Sequence, residues 1–231
     1  ILKLINPDIV QTWMYHANLI GGLAARIVGV KKLYWGIRNT LVPNSNISTT
    51  RFVIWLGAKL SWYLPKNIIC CAESAIIGHK GLGYCAKKML VIENGYEITT
   101  FVAATNKRQR YRKLLGYKHT DIVIGIVGRF DPLKDHRNFV NATAKIASDI
   151  SQARFLMIGR HVSTENQELV SWIDQTGFSR RYILLGERED IPALLSAMDI
   201  FCLSSKAEGF PNVVAEAMAS GLPCVVTDVG D

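Results

Sequence analysis

Two carboxylates eight residues apart, Glu208 and Glu216, bracket a Gly-Phe-Pro turn in the run Ala207-Glu208-Gly209-Phe210-Pro211-Asn212-Val213-Val214-Ala215-Glu216. A turn leading into a helix offers an anion backbone N–H groups and the positive end of the helix dipole, and the two acids can accept sugar hydroxyls. The unit suits a sugar nucleotide. Paired carboxylates also serve glycoside hydrolysis as acid and nucleophile, but a helix N-terminus directed at phosphate has no part in that reaction. Upstream, the segment Gly128-Arg129-Phe130-Asp131-Pro132-Leu133-Lys134-Asp135 places Arg129 and Lys134 across a turn, where both cations can meet one anion. A departing nucleoside diphosphate needs such charge compensation, from Arg and Lys or from a metal.

These residues must be held by the elements around them. Apolar strand-like runs alternate with helical patterns along the whole chain. The first half predicts strands near 9–14, 32–37, 67–72 and 88–92, with helices near 19–28, 50–64 and 73–84. The second half predicts strands at 122–127, 154–158, 182–185, 200–204 and 223–227, with helices between them. Continuous apolar runs separated by crossovers of this length indicate buried parallel strands in βαβ units. Two α/β domains of the doubly wound type follow, and such sheets bind ligands at the carboxyl ends of their strands. Gly128-Arg129, Gly159-Arg160, Gly186-Glu187-Arg188 and Ser204-Ser205 then share one rim, from which the Glu208 to Glu216 unit opens. The polar, basic stretch around Asn106-Lys107-Arg108-Gln109-Arg110 reads as a linker or short helix, dividing the chain into residues 1–115 and 116–231.

Composition narrows the partners. The net charge of +8 is uneven: residues 1–115 carry 16 Lys/Arg against 4 Asp/Glu, a balance of +12, and residues 116–231 carry 11 against 15, a balance of −4. A basic half suits an anionic membrane or a phosphorylated substrate. No basic-aromatic recognition motif points to nucleic acid. The five cysteines show no metal-site spacing and sit mostly in apolar runs, as small buried hydrophobes in a reducing, cytoplasmic setting. The longest apolar stretch, 52–64, is interrupted by Lys59 and is too short to span a bilayer. The opening Ile1-Leu2-Lys3-Leu4-Ile5 and the closing Val229-Gly230-Asp231 read as the interior of a longer protein.

Taken in order, these segments resemble the family 4 glycosyltransferases, retaining enzymes of the two-domain GT-B fold, in the branch that builds bacterial cell-surface polysaccharides. The resemblance rests on Gly128-Arg129 with Lys134-Asp135, the Glu208 to Glu216 spacing with Gly209-Phe210-Pro211-Asn212, and Ala219-Ser220-Gly221-Leu222-Pro223-Cys224-Val225-Val226-Thr227. It is extended by Pro7-Asp8-Ile9-Val10, Asn94-Gly95 after Val91-Ile92, and Asp190-Ile191-Pro192 before Asp199-Ile200. It implies two Rossmann-like domains facing a cleft, both incomplete here. Residues 1–115 would be the C-terminal part of the acceptor-side domain plus linker, and 116–231 the truncated donor-binding domain.

By the same resemblance, Arg129 and Lys134 hold the donor diphosphate beside Gly128. Glu208 faces the donor sugar, Gly209, Phe210, Pro211 and Asn212 supply backbone contacts, and Glu216 accepts the ribose hydroxyls. Arg188 would meet the nucleobase. His16, after the first strand, is a candidate catalytic residue, and Arg38 and Asn39 are candidates on the acceptor side. The chain has Gly36-Ile37-Arg38-Asn39-Thr40 where the family commonly has a His after the second strand. The implied reaction moves a hexosyl unit from a nucleotide-diphosphate sugar to a glycan or lipid-linked glycan hydroxyl, with no metal or other cofactor. It would run in the cytoplasm, peripherally on the inner face of the membrane. The rival readings are a nucleotide-sugar epimerase on a similar fold and a non-catalytic nucleotide-binding subunit.

Overall fold

The computed structural model describes residues 1–40 and 48–230, which form two compact units. The first comprises Ile1–Asn94 with Ala207–Phe210 and Gly230; the second comprises Gly95–Lys206 and Pro211–Val229.

In the first unit the helices are α1 (Leu2–Ile5), α2 (Tyr15–Ile27), α3 (Ser48–Ser61) and α4 (Glu73–Gly81). They alternate with strands β1 (Ile9–Trp13), β2 (Lys32–Ile37), β3 (Asn67–Cys70) and β4 (Met89–Val91), which pair in that order, all parallel. Interior strand β2 is buried at four of six positions, as a strand covered on both faces must be. Its Trp35 is fully buried at the centre of a core with Leu33, Ile37, Ile68 and Cys70. Helix α2 approaches closely because Gly22 faces that ring: a Cβ there would lie 2.8 Å from Trp35 Nε1. Gly29, at φ 86°, then ends α2 by letting Val30 N–H return to the Ala25 carbonyl at 2.9 Å.

The second unit opens with α5 (Ile98–Ala104) and α6 (Arg108–Leu114). Its strands are β5 (Ile122–Val127), β6 (Ala153–Ile158), β7 (Tyr182–Leu184), β8 (Ile200–Leu203) and β9 (Cys224–Val226). Helices α7 (His136–Asp149), α8 (Gln167–Asp174), α9 (Ile191–Ser196) and α10 (Asn212–Ala219) connect them. The sheet order is β7-β6-β5-β8-β9, all parallel. Alternate residues of the central strands feed two separate cores: Ile124, Ile126, Phe155 and Met157 pack with Phe139 and Val140 of α7. Val123, Val127, Leu156 and Ile158 pack with Leu194 and Leu195 of α9. The central strands are therefore apolar at every position but Arg154 at the start of β6, and the two faces are covered by different helices.

Residues 95–115, placed by the sequence in the first half with a linker or short helix around residues 106–110, pack with the second unit. Phe101, Tyr111 and Leu115 lie against the Val123, Leu156 and Leu194 core. Arg108 and Arg112 both reach Asp199, at 2.5 and 3.0 Å. The polar character that suggested a linker comes from these cations, which are committed to the domain that follows. All five cysteines are free, and burial pushes the Cys70 thiol up to about 12.

Candidate functional site

The second sheet reverses direction between β5 and β8: the chain adds strands on one side, then returns to add them on the other. At such a switch point the loops after the two adjacent strands diverge and leave a crevice at their carboxyl ends. Here those are the loop of residues 128–135 and the segment beginning at Ser204. They are tied together, because Lys206 N–H bonds the Leu133 carbonyl at 2.7 Å. Ser204 Oγ donates to the carbonyls of Lys134 and Asp135, at 3.1 and 2.9 Å.

Glycines allow the approach. Gly159, at φ 148°, would place a Cβ 2.0 Å from the Gly128 carbonyl oxygen, so the ends of β5 and β6 can meet only without a side chain there. A Cβ on Gly128 would sit 3.6–3.8 Å from the Lys134 methylenes, so the Lys134 stem lies across Gly128. Arg129 is exposed and donates through Nε to Asp131 at 3.1 Å. Burial alone would raise the Asp131 carboxyl, but the Leu133 N–H and Arg129 outweigh it and hold it below the usual carboxylate range. Asp131 thus stays ionised and orients Arg129. Asp135, in the left-handed region at φ 47°, caps α7 by accepting Asn138 N–H.

Helix α10 follows β8, begins after Pro211 and has no capping side chain. The Asn212 side chain accepts the Tyr96 hydroxyl at 2.8 Å. Glu216 lies half-buried on this helix; burial raises its pKa, and its carboxylate makes no hydrogen bond or ion pair among the described residues. An unpaired, partly desolvated carboxylate is costly unless a ligand completes it. Arg188 stands apart from this group. It lies beyond β7, two strands from β5 and so about 10 Å away laterally. It donates to both oxygens of Asp190 at 2.8 Å, and Asp190 also accepts the Tyr111 hydroxyl at 2.9 Å.

The first unit gathers the other candidates. His16 is exposed in the first turn of α2, just after β1. Met14 before it adopts φ 70°, ψ 167°, a region that side chains seldom occupy and that is characteristic of functional loops. This turn sends Tyr15 inward and leaves His16 outside. Arg38 and Asn39 follow the neighbouring strand β2. The Arg38 guanidinium lies 5.1 Å from the Trp13 ring centroid and donates to the Asn94 side chain.

Residues 208–210 belong to this unit. Thr40 Oγ1 donates to the Glu208 carbonyl, and Phe210 packs on the core of the first sheet. A Cβ on Gly209 would lie 3.3 Å from the Arg38 carbonyl oxygen. The structure therefore brings Glu208, Gly209 and Phe210 together with Arg38 and Asn39. Pro211, Asn212 and Glu216 belong to the second unit with Gly128, Arg129 and Lys134.

A buried polar network was missed by sequence reasoning. The His79 ring lies with Nδ1 2.7 Å from the Ala75 carbonyl, which can only accept, so Nδ1 carries the proton. Burial lowers the His79 pKa, the ring is neutral, and Nε2 accepts the Tyr15 hydroxyl at 2.9 Å. Tyr15 in turn lies 3.3 Å from the Asn39 side chain. Tyr15 and His79 are 64 positions apart, and each alone reads as a core aromatic.

Residues 121–231 match the family model described as glycosyl transferases group 1. Over 99% of its length the chain is 30% identical to an Escherichia coli UDP-Gal:alpha-D-GlcNAc-diphosphoundecaprenol alpha-1,3-galactosyltransferase, covering 60% of that protein. It is 29% identical, over 99% of its length and 61% of the relative, to a Campylobacter jejuni N,N'-diacetylbacillosaminyl-diphospho-undecaprenol alpha-1,3-N-acetylgalactosaminyltransferase. The crystal structure of Anabaena Alr3699/HepE in complex with UDP and glucose superposes with a TM-score of 0.84 at 24% identity, over 95% of this chain and 59% of that one. The chain thus spans about three-fifths of the length of these relatives. With two parallel Rossmann-like sheets in a GT-B fold and the strand-end Arg and Lys, the chain carries a group 1 glycosyl transferase domain at residues 121–231 and is similar along its length to bacterial polysaccharide glycosyltransferases.

Proposed function

We propose that the chain works in a retaining hexosyltransferase that takes a nucleotide-diphosphate sugar and glycosylates a hydroxyl of a glycan or lipid-linked glycan. One observation carries this reading: Gly128, Arg129 and Lys134 stand at the switch point of the second sheet, and an unpaired, half-buried Glu216 stands on the helix after the adjacent strand. Arg129 and Lys134 neutralise the departing diphosphate, the work a metal does elsewhere, so the reaction needs none. Glu216 accepts the ribose hydroxyls, and Arg188 lies toward the nucleobase. Glu208, with Gly209 and Phe210, attends the hexose. His16, Arg38 and Asn39 serve the acceptor, the latter held by Tyr15 and His79. The bond from the anomeric carbon to the diphosphate oxygen breaks while the acceptor oxygen bonds on the same face, and the acceptor proton passes to the departing phosphate.

The names of the relatives support a UDP-hexose donor and a diphosphoundecaprenol-linked acceptor, and with it work at an anionic, cytoplasmic membrane face. They are transferases, which favours this reading over an epimerase or a binding subunit. A thermal-shift series with UDP-, GDP- and ADP-sugars, followed by product analysis with and without acceptor, tests it. Stabilisation by a UDP-hexose and an acceptor-dependent glycoside of retained configuration are expected. No stabilisation by any donor, or an epimer released without acceptor, overturns it.

Glu216 gives a sharper expectation. Glu216→Gln keeps the shape and an acceptor oxygen but removes the charge. The donor dissociation constant rises about 10–100-fold, since hydrogen bonds to a charged group contribute about 1.5–3 kcal/mol. The free protein does not lose stability at neutral pH. A carboxyl whose folded pKa is raised above its unfolded value gives up stability as pH rises through the folded pKa, and Gln removes that loss. Titration calorimetry together with melting curves across pH reads both effects; an unchanged donor affinity removes Glu216 from the site.

A further inference from the structure

Helix α3 buries Ile54 and Ala58 against the first core, yet its opposite face is not polar. Phe52 is 58% exposed and Trp55 56%, and the turn that follows exposes Trp62 at 51% and Tyr63 at 80%. Phe52, Trp55, Lys59 and Trp62 recur at helical spacing, so they share one outward stripe. The Phe52 and Trp55 rings lie 5.9 Å apart. Helix α2, packed beside α3, exposes Ile20, Leu23 and Ile27 at the same spacing.

Charge along the stretch of chain that carries this apolar face is of one sign. No Asp or Glu occurs between Asp8 and Glu73, while the same interval holds seven cations. Arg26 is turned onto the Leu64 and Val30 carbonyls. Lys31, Lys32, Arg51, Lys59 and Lys66 are exposed. A contiguous exposed apolar surface marks an interaction site. Trp and Tyr rimmed by cations, with no carboxylates among them, match the headgroup region of an anionic bilayer, where aromatic rings settle at the interface and Lys and Arg meet lipid phosphate. No helix among the described residues is long and apolar enough to cross a membrane, so the fit is to a helix lying in the interface plane.

We infer that the outer face of α3 and its following turn, flanked by α2, is the surface on which this chain docks to an anionic phospholipid bilayer. This deepens the reading of a lipid-linked acceptor and rests on it for its purpose, but its test needs neither donor nor acceptor. Co-sedimentation with vesicles of phosphatidylglycerol in phosphatidylcholine, against phosphatidylcholine alone, measures docking. The chain partitions onto the anionic vesicles, its tryptophan emission shifts to the blue, and brominated lipid quenches it.

Trp55→Ala with Trp62→Ala weakens partitioning by about tenfold or more, and Lys59→Glu with Lys66→Glu does so in a manner that added salt imitates. These side chains are more than half exposed or charged, so melting curves of the variants match the parent. Trp55→Phe with Trp62→Phe retains docking and loses most of the quenching. Equal binding by the alanine variant, no preference for anionic vesicles, or a dimer that the same substitutions dissociate would each overturn the inference. Vesicle binding absent while a donor still stabilises the protein refutes docking alone; docking intact with no donor response refutes the transferase reading alone.

Discussion

Under the proposed reaction, Lys134→Ala is expected to lower the turnover of hexosyl transfer about 10²–10³-fold, the usual effect of removing one group that stabilises charge in the transition state. The reason lies in how the residue is fixed. Its backbone is held on both sides, by its own N–H on the Asp131 carbonyl at 2.9 Å and by Ser204 Oγ on its carbonyl at 3.1 Å. Its methylenes run over Gly128, where no side chain intrudes. The ammonium is therefore delivered from a fixed base at the carboxyl end of β5, next to Arg129. Arg129 is oriented by Asp131 but is far more exposed, with 63% of its side chain open. Of the two cations, Lys134 has the more restricted position and so costs less reorganisation as charge develops on the leaving diphosphate. Its loss should lower kcat more than it raises the donor KM, whereas Arg129→Ala should divide its effect between the two. Lys134→Arg should not restore the rate, because a planar fork cannot occupy the place of a compact ammonium on this stem. Steady-state kinetics with donor and acceptor varied separately reads this split. Turnover within threefold of the parent would remove Lys134 from the chemistry.

Much of this arrangement can be read from residue types, and the remainder has identifiable reasons. Buried parallel strands are continuous apolar runs, so 122–127 and 32–37 are located to the residue, and 200–204 and 223–227 to within one position at each end. Lateral order is another matter. Nothing in the pattern of Ile200-Phe201-Cys202-Leu203 says that β8 lies beside β5 rather than β7, yet that adjacency creates the switch point where Arg129 and Lys134 stand. Long-range polar pairs are hidden for the same reason. Arg108 and Arg112 read as surface cations of a linker because their partner, Asp199, is 91 and 87 positions away. Tyr15 with His79 is a similar case in the first unit. The spacing of the strand-end cations and of Glu208 and Glu216 is legible because it is set along the chain itself, although the two acids fall in different units. That Glu208 falls in the first unit with Arg38 and Asn39, and Glu216 in the second with Gly128 and Lys134, depends on two separate sheets and could not be.

Asp199→Ala is expected to destabilise the second unit by about 2–4 kcal/mol, less than the roughly 3–5 kcal/mol for breaking a fully buried ion pair, because 31% of the Asp199 side chain is exposed. Asp199 joins three elements: it accepts the Val123 N–H at 2.8 Å at the start of β5, Arg108 at 2.5 Å, and Arg112 at 3.0 Å. Arg112 is 8% exposed and cannot turn to water. It keeps bonds to the carbonyls of Ala197, Lys118 and Asp121, which satisfy its hydrogens but not its charge. The substitution therefore leaves a buried cation and the N–H of Val123, at the start of the central strand, uncompensated together. Burial would raise the Asp199 carboxyl, but Val123 N–H and the two arginines outweigh it and hold it below the usual value. Its contribution is thus complete above the unfolded carboxyl pKa and is lost as pH falls through the depressed folded one. Differential scanning calorimetry should show a melting transition lowered by about 5–15 °C at neutral pH, with the difference from the parent shrinking toward low pH. Because α5 and α6 pack on the second core, that loss belongs to the second unit, and melting of the first unit should not follow it. Equal loss in both transitions would show that residues 95–115 are not part of the second domain's fold. An unchanged melting curve would show that the three bonds to Asp199 contribute nothing net.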